Sequence, residues 1–434
     1  MAAFALSLPA VTTRLYSSDE IQYFSYLRSL WFDRDVSFEN EYRYFYDRGI
    51  ATSDGFHETF LERQTETGRR INFATMGCAM LWAPFYAVGD GVARVTGAPA
   101  DGFSQPYVAA VAYGSAVYGF AALVIAILSA GRLGLDGFVP AIAIWLGTPL
   151  LFYMYVAPLF AHAGSAFAVA LFMYVWLRVR ERWTLRGTIG LAAAAALMAM
   201  VREQDAFFAA GVVLDFGLWA ADRGLVRTLR EKAAAIVAGA AVFAVVYAPQ
   251  AAAYLALNGH VGPHSSVGRK MNWASPHALQ VLFSPEHGFF FWTPLALIAI
   301  AGLVVLLRRT RLGLSLLLMV LLQVYVSGSV ESWTVAGGFG QRRFVALTAA
   351  LVIGYAALRA AAARRRWILT AVTLLAVYWN LALSAEFGTG LMDRQKLEPA
   401  RNAYHAFVTL PRQAPSLIYR YLVDRESFYQ RRDH

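Results

Sequence analysis

The sequence predicts an all-α, polytopic membrane protein of about eleven spanning helices, the first of them partial. Three observations carry this. Hydrophobic residues make up 58% of the 434 and charged residues 15%, with mean hydropathy +0.46, whereas a soluble domain carries about 25% charged residues. Charge-poor stretches long enough to cross a bilayer recur at 106–130, 137–158, 161–177, 187–201, 206–221, 233–257, 289–307, 312–330, 343–358 and 367–385. Arginine fills every second connection: Arg132; Arg178, Arg180, Arg182 and Arg186; Arg223, Arg227, Arg230 with Lys232; Arg308, Arg309 and Arg311; Arg359, Arg364, Arg365 and Arg366. Cytoplasmic connections are enriched in Lys and Arg, so these lie inside and the intervening loops outside.

In chain order, residues 1–11 ("MAAFALSLPAV") make half a span, which points to a misplaced start or a truncated chain, and a cleaved signal peptide would want a basic start. A first outer region, 12–105, follows. Counting 72–96 as a span would break the arginine alternation, so this segment is expected to form a helix lying at the outer interface, with Trp82 and Tyr86 at headgroup level. The remaining polar mass falls in outer loops 258–288 and 331–342 and in a tail, 386–434, that carries Tyr404, Tyr419, Tyr421 and Tyr429. The tail is too short for a separate domain and is expected to cover the outer face as an interfacial segment. Residues 1–385 form the transmembrane unit.

Several function classes are excluded. The net charge of +10 and the pI of about 9.7 come from short clusters between apolar runs, which is how topology is encoded, so no nucleic-acid partner is implied. The single cysteine, Cys78, rules out an intramolecular disulfide framework or a multi-cysteine metal site. No Walker loop, dinucleotide fingerprint, His-Glu-x-x-His or Gly-x-Ser-x-Gly occurs, and "VAGGFGQRR" is too loose for a nucleotide loop.

Chemistry is therefore expected outside. The first outer loop opens with adjacent carboxylates, Asp19 and Glu20, among aromatic residues. A carboxylate at the bilayer edge sits in a lowered dielectric that raises its pKa, which suits a general base. The same pair also reads as solvated charge at a helix start with Ser17 or Ser18 as N-cap. Asp215 lies inside a span, at a cost of about 2.5–3.5 kcal/mol on insertion scales, toward the cytoplasmic end, where a helix-packing partner accounts for it. His260, His264, His277 and His287 crowd the 258–288 loop with Glu286, but Gly259, Gly262 and Pro263 interrupt any helical ligand spacing. That loop reads instead as a cap over the active site.

The Asp19–Glu20 pair followed by "YFSYLRSLWFDRDVSFENEY" and "INFATMGCAMLWAPFYAVGD", together with "AHAGSAFAVALFMYVWLR", "FSPEHGFFFWTPLALIAIAGL" and "SWTVAGGFGQRRFVAL", resembles the GT-C superfamily of membrane glycosyltransferases. The nearest branch is that of protein O-mannosyltransferases and lipid A aminoarabinose transferases. The resemblance implies transfer of a sugar, with inversion, from a polyprenyl-phosphate carrier to a lipid, glycan or protein acceptor. The reaction would take place on the extracytoplasmic face of a plasma (bacterial inner) membrane. It makes Asp19 the base or a neighbour of the base, and has Glu20 orient it or help hold a divalent cation, if one is used; no other cofactor is implied. The leaving phosphate needs fixed positive charge, for which Arg202, Arg342 and Arg343 are candidates, with Arg269 and Lys270 near the donor. Glu203 and Asp205 could instead simply neutralise Arg202. Many members carry a second acid before the fourth span, where this chain has His162, which either substitutes for it or packs at a helix start. Two other readings stay open: a polyprenyl-lipid binder without chemistry, and a transporter, which should show inverted repeats and charge at mid-membrane.

Overall fold

The apolar runs fold as helices in the computed structural model, which describes residues 1–335 and 337–428. After a short α1 (Ala2–Ser7) come α2 (Ser18–Arg28), α3 (Glu39–Asp47) and α4 (Gly77–Thr96). The bundle follows as α5 (Gln105–Arg132), α6 (Phe138–Gly147), α7 (Leu150–Tyr155), α8 (His162–Val179), α9 (Leu185–Val201), α10 (Ala209–Ala221) and α11 (Leu225–Asn258). It closes with α12 (Pro294–Leu307), α13 (Leu312–Ser329), α14 (Thr348–Ala361), α15 (Arg366–Thr389) and the tail helix α16 (Leu410–Val423). Among the described residues six helices are long and apolar enough to cross a membrane, and Phe138–Gly147, Leu185–Val201 and Pro294–Leu307 are apolar but shorter. The fold is that of a multi-pass, all-helical membrane protein. The expected span 137–158 is two helices, because Pro149 has no N–H to continue the ladder past Thr148.

Burial separates hub from rim. The helix containing α14 has 78% of its apolar window buried, α11 only 17%, so α14 is central and α11 presents its apolar surface to lipid. α12 and α14 touch backbone to backbone: a Cβ on Gly302 would fall 1.8 Å from the Gly354 carbonyl oxygen, and one on Gly354 2.2 Å from that of Ala299. Small residues permit such close approach between membrane helices. Gly302→Ala is expected to destabilise the fold by ~1–3 kcal/mol through overpacking, read as a lower thermal midpoint in detergent; an unchanged midpoint would mean the two helices are not this close.

The intramembrane acid is paired. Both Asp215 carboxylate oxygens accept from Arg180, at 2.9 and 2.7 Å, and Trp176 Nε1 donates at 3.0 Å, which ties α10 to α8.

One expectation is corrected. α4 runs antiparallel beside the first half of α5: Tyr118 Oη donates to the Leu81 carbonyl at 2.8 Å, Gly114 packs on Phe85, and Gly89 on Pro106 and Tyr107. Trp82 and Tyr86 therefore do not face headgroups. They are buried, 1% and 0% exposed, Trp82 against Tyr23 of α2 and Tyr86 against Phe24 of α2 and Tyr107 of α5, and Tyr86 Oη satisfies itself on the Gly102 carbonyl at 2.8 Å.

The polar regions gather at one end of the bundle. Thr67 Oγ1 donates to Leu257 O at 2.6 Å, Asn272 N–H to Ser329 O at 2.6 Å, and Gly337 N–H to Gln395 Oε1 at 3.2 Å. The tail returns to the chain start, where Arg425 Nη1 donates to Pro9 O at 2.6 Å. Tyr404 and Tyr419 are exposed, and Tyr429 lies outside the described residues.

Candidate active site

The sequence Ser17-Ser18-Asp19-Glu20 starts α2 with a reciprocal cap. Ser17 Oγ accepts from Glu20 N–H at 3.3 Å, and Glu20 Oε2 accepts from the backbone N–H groups of Tyr16 and Ser17 at 2.8 and 3.1 Å. The Glu20 side chain is thereby folded back and buried. Desolvation pushes its pKa up to about 7, against the pull of those amides. Its Oε1 has no partner among the described residues. Asp19 projects elsewhere: its carboxylate is 41% exposed, and Oδ2 meets Arg342 Nη2 at 3.0 Å. The adjacent acids are thus divided between a helix cap and an open site.

Arg342 and Arg343 begin a 3-10 turn, Arg342–Leu347, that runs into α14. The Arg342 guanidinium lies 5.1 Å from the centre of the Phe160 ring. Gly338 earns its place here, since a Cβ on it would come 3.1 Å from Arg342 Cδ and 3.4 Å from Tyr153 Oη. Arg343 points back along its own loop, with Nη1 on Ser332 O at 3.0 Å and Nη2 on Ser332 Oγ at 3.2 Å.

Arg202 stands just past the end of α9, and its Nη1 is 2.8 Å from His162 Nδ1, at the start of α8. A guanidinium can only donate, so Nδ1 accepts and the ring proton sits on Nε2. The imidazole is buried, with Tyr153 edge-on at 4.5 Å and Phe160 stacked at 5.7 Å. Arg202, Arg342 and Arg343 all exert their charge on His162, while Asp19, Arg202 and Arg342 all act on Tyr23. Asp19, His162, Arg202, Arg342 and Arg343 are therefore brought together, far apart though they lie in sequence. The result is an open carboxylate among guanidiniums.

Neither Glu203 nor Asp205 forms an ion pair with Arg202 among the described residues, although the Arg202 charge acts on Asp205. Glu203 accepts from Tyr254 Oη, and Asp205 Oδ2 accepts from Ser165 Oγ at 2.6 Å. Asp205 is fully buried, and burial pushes its pKa up to about 6. Tyr23, Tyr153 and Phe160 are site neighbours that carry no local signal in the sequence, whereas Asp205, a carboxylate one turn beyond Arg202, was legible there as a counter-charge.

Arg269 and Lys270 do not join the cluster. They line a separate cavity with Arg63, Phe73 and His264. Three of the four loop histidines are dispersed: His264 caps the short helix Ser265–Arg269, His277 stacks on Trp333 at 5.4 Å, and His287 stacks on Trp292 at 4.8 Å, where burial pushes its pKa down to about 4. Among the described residues no three His, Cys, Asp or Glu side chains come together to hold a metal. A divalent cation does not fit Asp19 and Glu20 as they stand, since a guanidinium engages the first and backbone amides engage the second.

The fold that holds this cluster at its loop-bearing end is an all-helical membrane bundle. A solved structure that shares it is the crystal structure of ArnT from Cupriavidus metallidurans bound to undecaprenyl phosphate, with a TM-score of 0.58 over 98% of this chain and 72% of that one. Sequence identity is 14%, so the likeness is one of fold. No family model matches the chain, and no curated protein matches it in sequence.

Proposed function

We propose that the protein is a glycosyltransferase that moves a sugar from a polyprenyl-phosphate carrier to a lipid, glycan or protein acceptor on the extracytoplasmic face of a bacterial inner membrane, with inversion. The observation that carries this reading is the convergence of Asp19 with Arg202, Arg342 and Arg343 at one end of the bundle. The undecaprenyl phosphate bound to the fold neighbour supports the donor class, and the arginine-rich alternate connections support the sidedness.

The chemistry follows from charge. The donor phosphate docks on Arg342 and Arg202 and competes with Asp19 for the Arg342 guanidinium, which frees the Asp19 carboxylate. That carboxylate takes the proton of the acceptor hydroxyl as its oxygen attacks the anomeric carbon. The bond from that carbon to the phosphate oxygen breaks, and the charge that builds on the departing polyprenyl phosphate is met by guanidiniums already in place. Arg343, clamped on Ser332, holds the glycine-rich loop and adds to the field.

The test supplies the detergent-purified protein with polyprenyl-phosphate sugars one at a time, together with a membrane lipid and glycan extract, and follows labelled sugar. Transfer from one donor is the expected result. Undecaprenyl phosphate binding without transfer from any donor would favour a lipid binder, and absence of binding would overturn the proposal.

His162 acts here as a positioning residue, because its Nδ1 is already occupied by Arg202. His162→Asn supplies an amide oxygen as acceptor and is expected to keep undecaprenyl phosphate affinity near wild type. His162→Phe removes the acceptor and is expected to weaken it by roughly tenfold or more, since hydrogen bonds to charged groups contribute about 1.5–3 kcal/mol. Equal affinities for the two variants would show that the ring only packs.

A further inference from the structure

The cavity that Arg269 and Lys270 line has about 360 Å³ of space, within the range of about 300–1,000 Å³ usual for small-ligand sites. Its cations come from two distant stretches: Arg63 from the first loop, and Arg269 and Lys270 from the loop after α11. They are weakly committed. Arg63 has Glu58 at 4.0 Å, Arg269 reaches the Ser265 hydroxyl at 3.4 Å, and among the described residues no carboxylate forms an ion pair with Arg269 or Lys270. Glu331 lines a smaller neighbouring cavity of about 270 Å³ that shares the Arg269–Lys270 wall, and does not line the first. Phe73 supplies an apolar surface beside the cations.

Both walls are tied to the reacting centre without belonging to it. The Phe73 N–H donates to Gln22 Oε1 at 2.8 Å, and Gln22 lies one turn after Asp19 on α2. On the other side, Glu331 N–H donates to Lys270 O at 2.8 Å, and the next residue, Ser332, is the one Arg343 holds. The leaving phosphate already has Arg202 and Arg342, so a second set of uncommitted cations beside α2 calls for a second anion.

We infer that this cavity binds an anionic group of the acceptor, a phosphate or a carboxylate, at a point remote from the hydroxyl that is glycosylated. The inference rests on the glycosyltransferase reading and narrows it: the acceptor is an acidic glycan or a phosphorylated lipid or glycan, and the cavity orients it across α2 toward Asp19.

The test titrates glucose 1-phosphate, glucuronate, glucose and inorganic phosphate into full-length protein saturated with undecaprenyl phosphate, by calorimetry, in wild type and in Arg269→Gln/Lys270→Gln. Glucose 1-phosphate or glucuronate should bind the wild type, glucose should not, and the double variant should bind the charged sugars at least tenfold more weakly while keeping its undecaprenyl phosphate affinity. Charged sugars that bind neither protein, or both equally, would overturn the inference. A tenfold loss of undecaprenyl phosphate affinity in the double variant would return these residues to the donor, and inorganic phosphate binding as well as the sugar phosphate would make this a free-anion site. If the wild type does not bind undecaprenyl phosphate, the donor reading fails, and the charged-sugar titrations of the two proteins still decide this one.

Discussion

Asp19→Asn is expected to lower sugar transfer by about 10²–10⁴-fold, the usual contribution of a positioned general base, while undecaprenyl phosphate binds at least as tightly as in wild type. The amide keeps the size of the carboxylate but cannot accept the acceptor's proton. Because the side chain is 41% exposed, the change leaves no buried charge stranded and the fold should hold. Removing the carboxylate also removes the competitor for Arg342, which is why donor affinity should be kept or improved. Single-turnover transfer of labelled sugar, beside a binding curve and a thermal melt, separates these effects. Wild-type turnover in the variant would show that Asp19 is not the base.

Arg342→Gln should be comparably damaging, but in a different way. In the proposed reaction Arg342 meets the phosphate in the ground state and again as charge accumulates on it. Loss of a charge-assisted contact costs about 1.5–3 kcal/mol in binding, and loss of one preorganised donor to a developing anion typically costs about 10²–10³-fold in rate. A raised KM together with a lowered kcat is the expected signature. A variant with only a raised KM would assign Arg342 to uniform binding of the donor. Arg343→Gln should be milder if it acts chiefly through Ser332, since that contact shapes the loop.

The bundle was legible because spans are written in composition: the apolar run 106–130 lies within Gln105–Arg132, 312–330 within one residue of Leu312–Ser329, and 161–177 close to His162–Val179. Asp19 and the arginine candidates were legible as charges placed at the ends of apolar runs. What could not be read was partnership. Asp19 and Arg342 are 323 positions apart, and no local pattern distinguishes an arginine that meets a carboxylate, as Arg342 does, from one that meets a histidine, as Arg202 does. Aromatic residues misled for a related reason. Trp82 and Tyr86 have the amphipathic character of headgroup anchors, but a hydroxyl can equally well find a backbone carbonyl, and only the pairing of α4 with α5 decides. Arg269 and Lys270 sat in the expected loop, yet loop membership says nothing about which cavity a side chain enters.

The cluster also sits where helices begin. α8 starts at His162, a 3-10 turn leading into α10 starts at Glu203 beside Arg202, and the turn leading into α14 starts at Arg342. Each such start leaves backbone N–H groups unpaired within its helix and carries roughly half a unit of positive charge from the aligned peptide dipoles, as helix N-termini that bind anions do. Under the proposed function, the attraction for a phosphate is therefore built partly into the direction in which these helices run through the bundle. Since no side-chain substitution reverses a helix, single arginine variants should retain weak, salt-sensitive binding of polyprenyl phosphate even where turnover is lost.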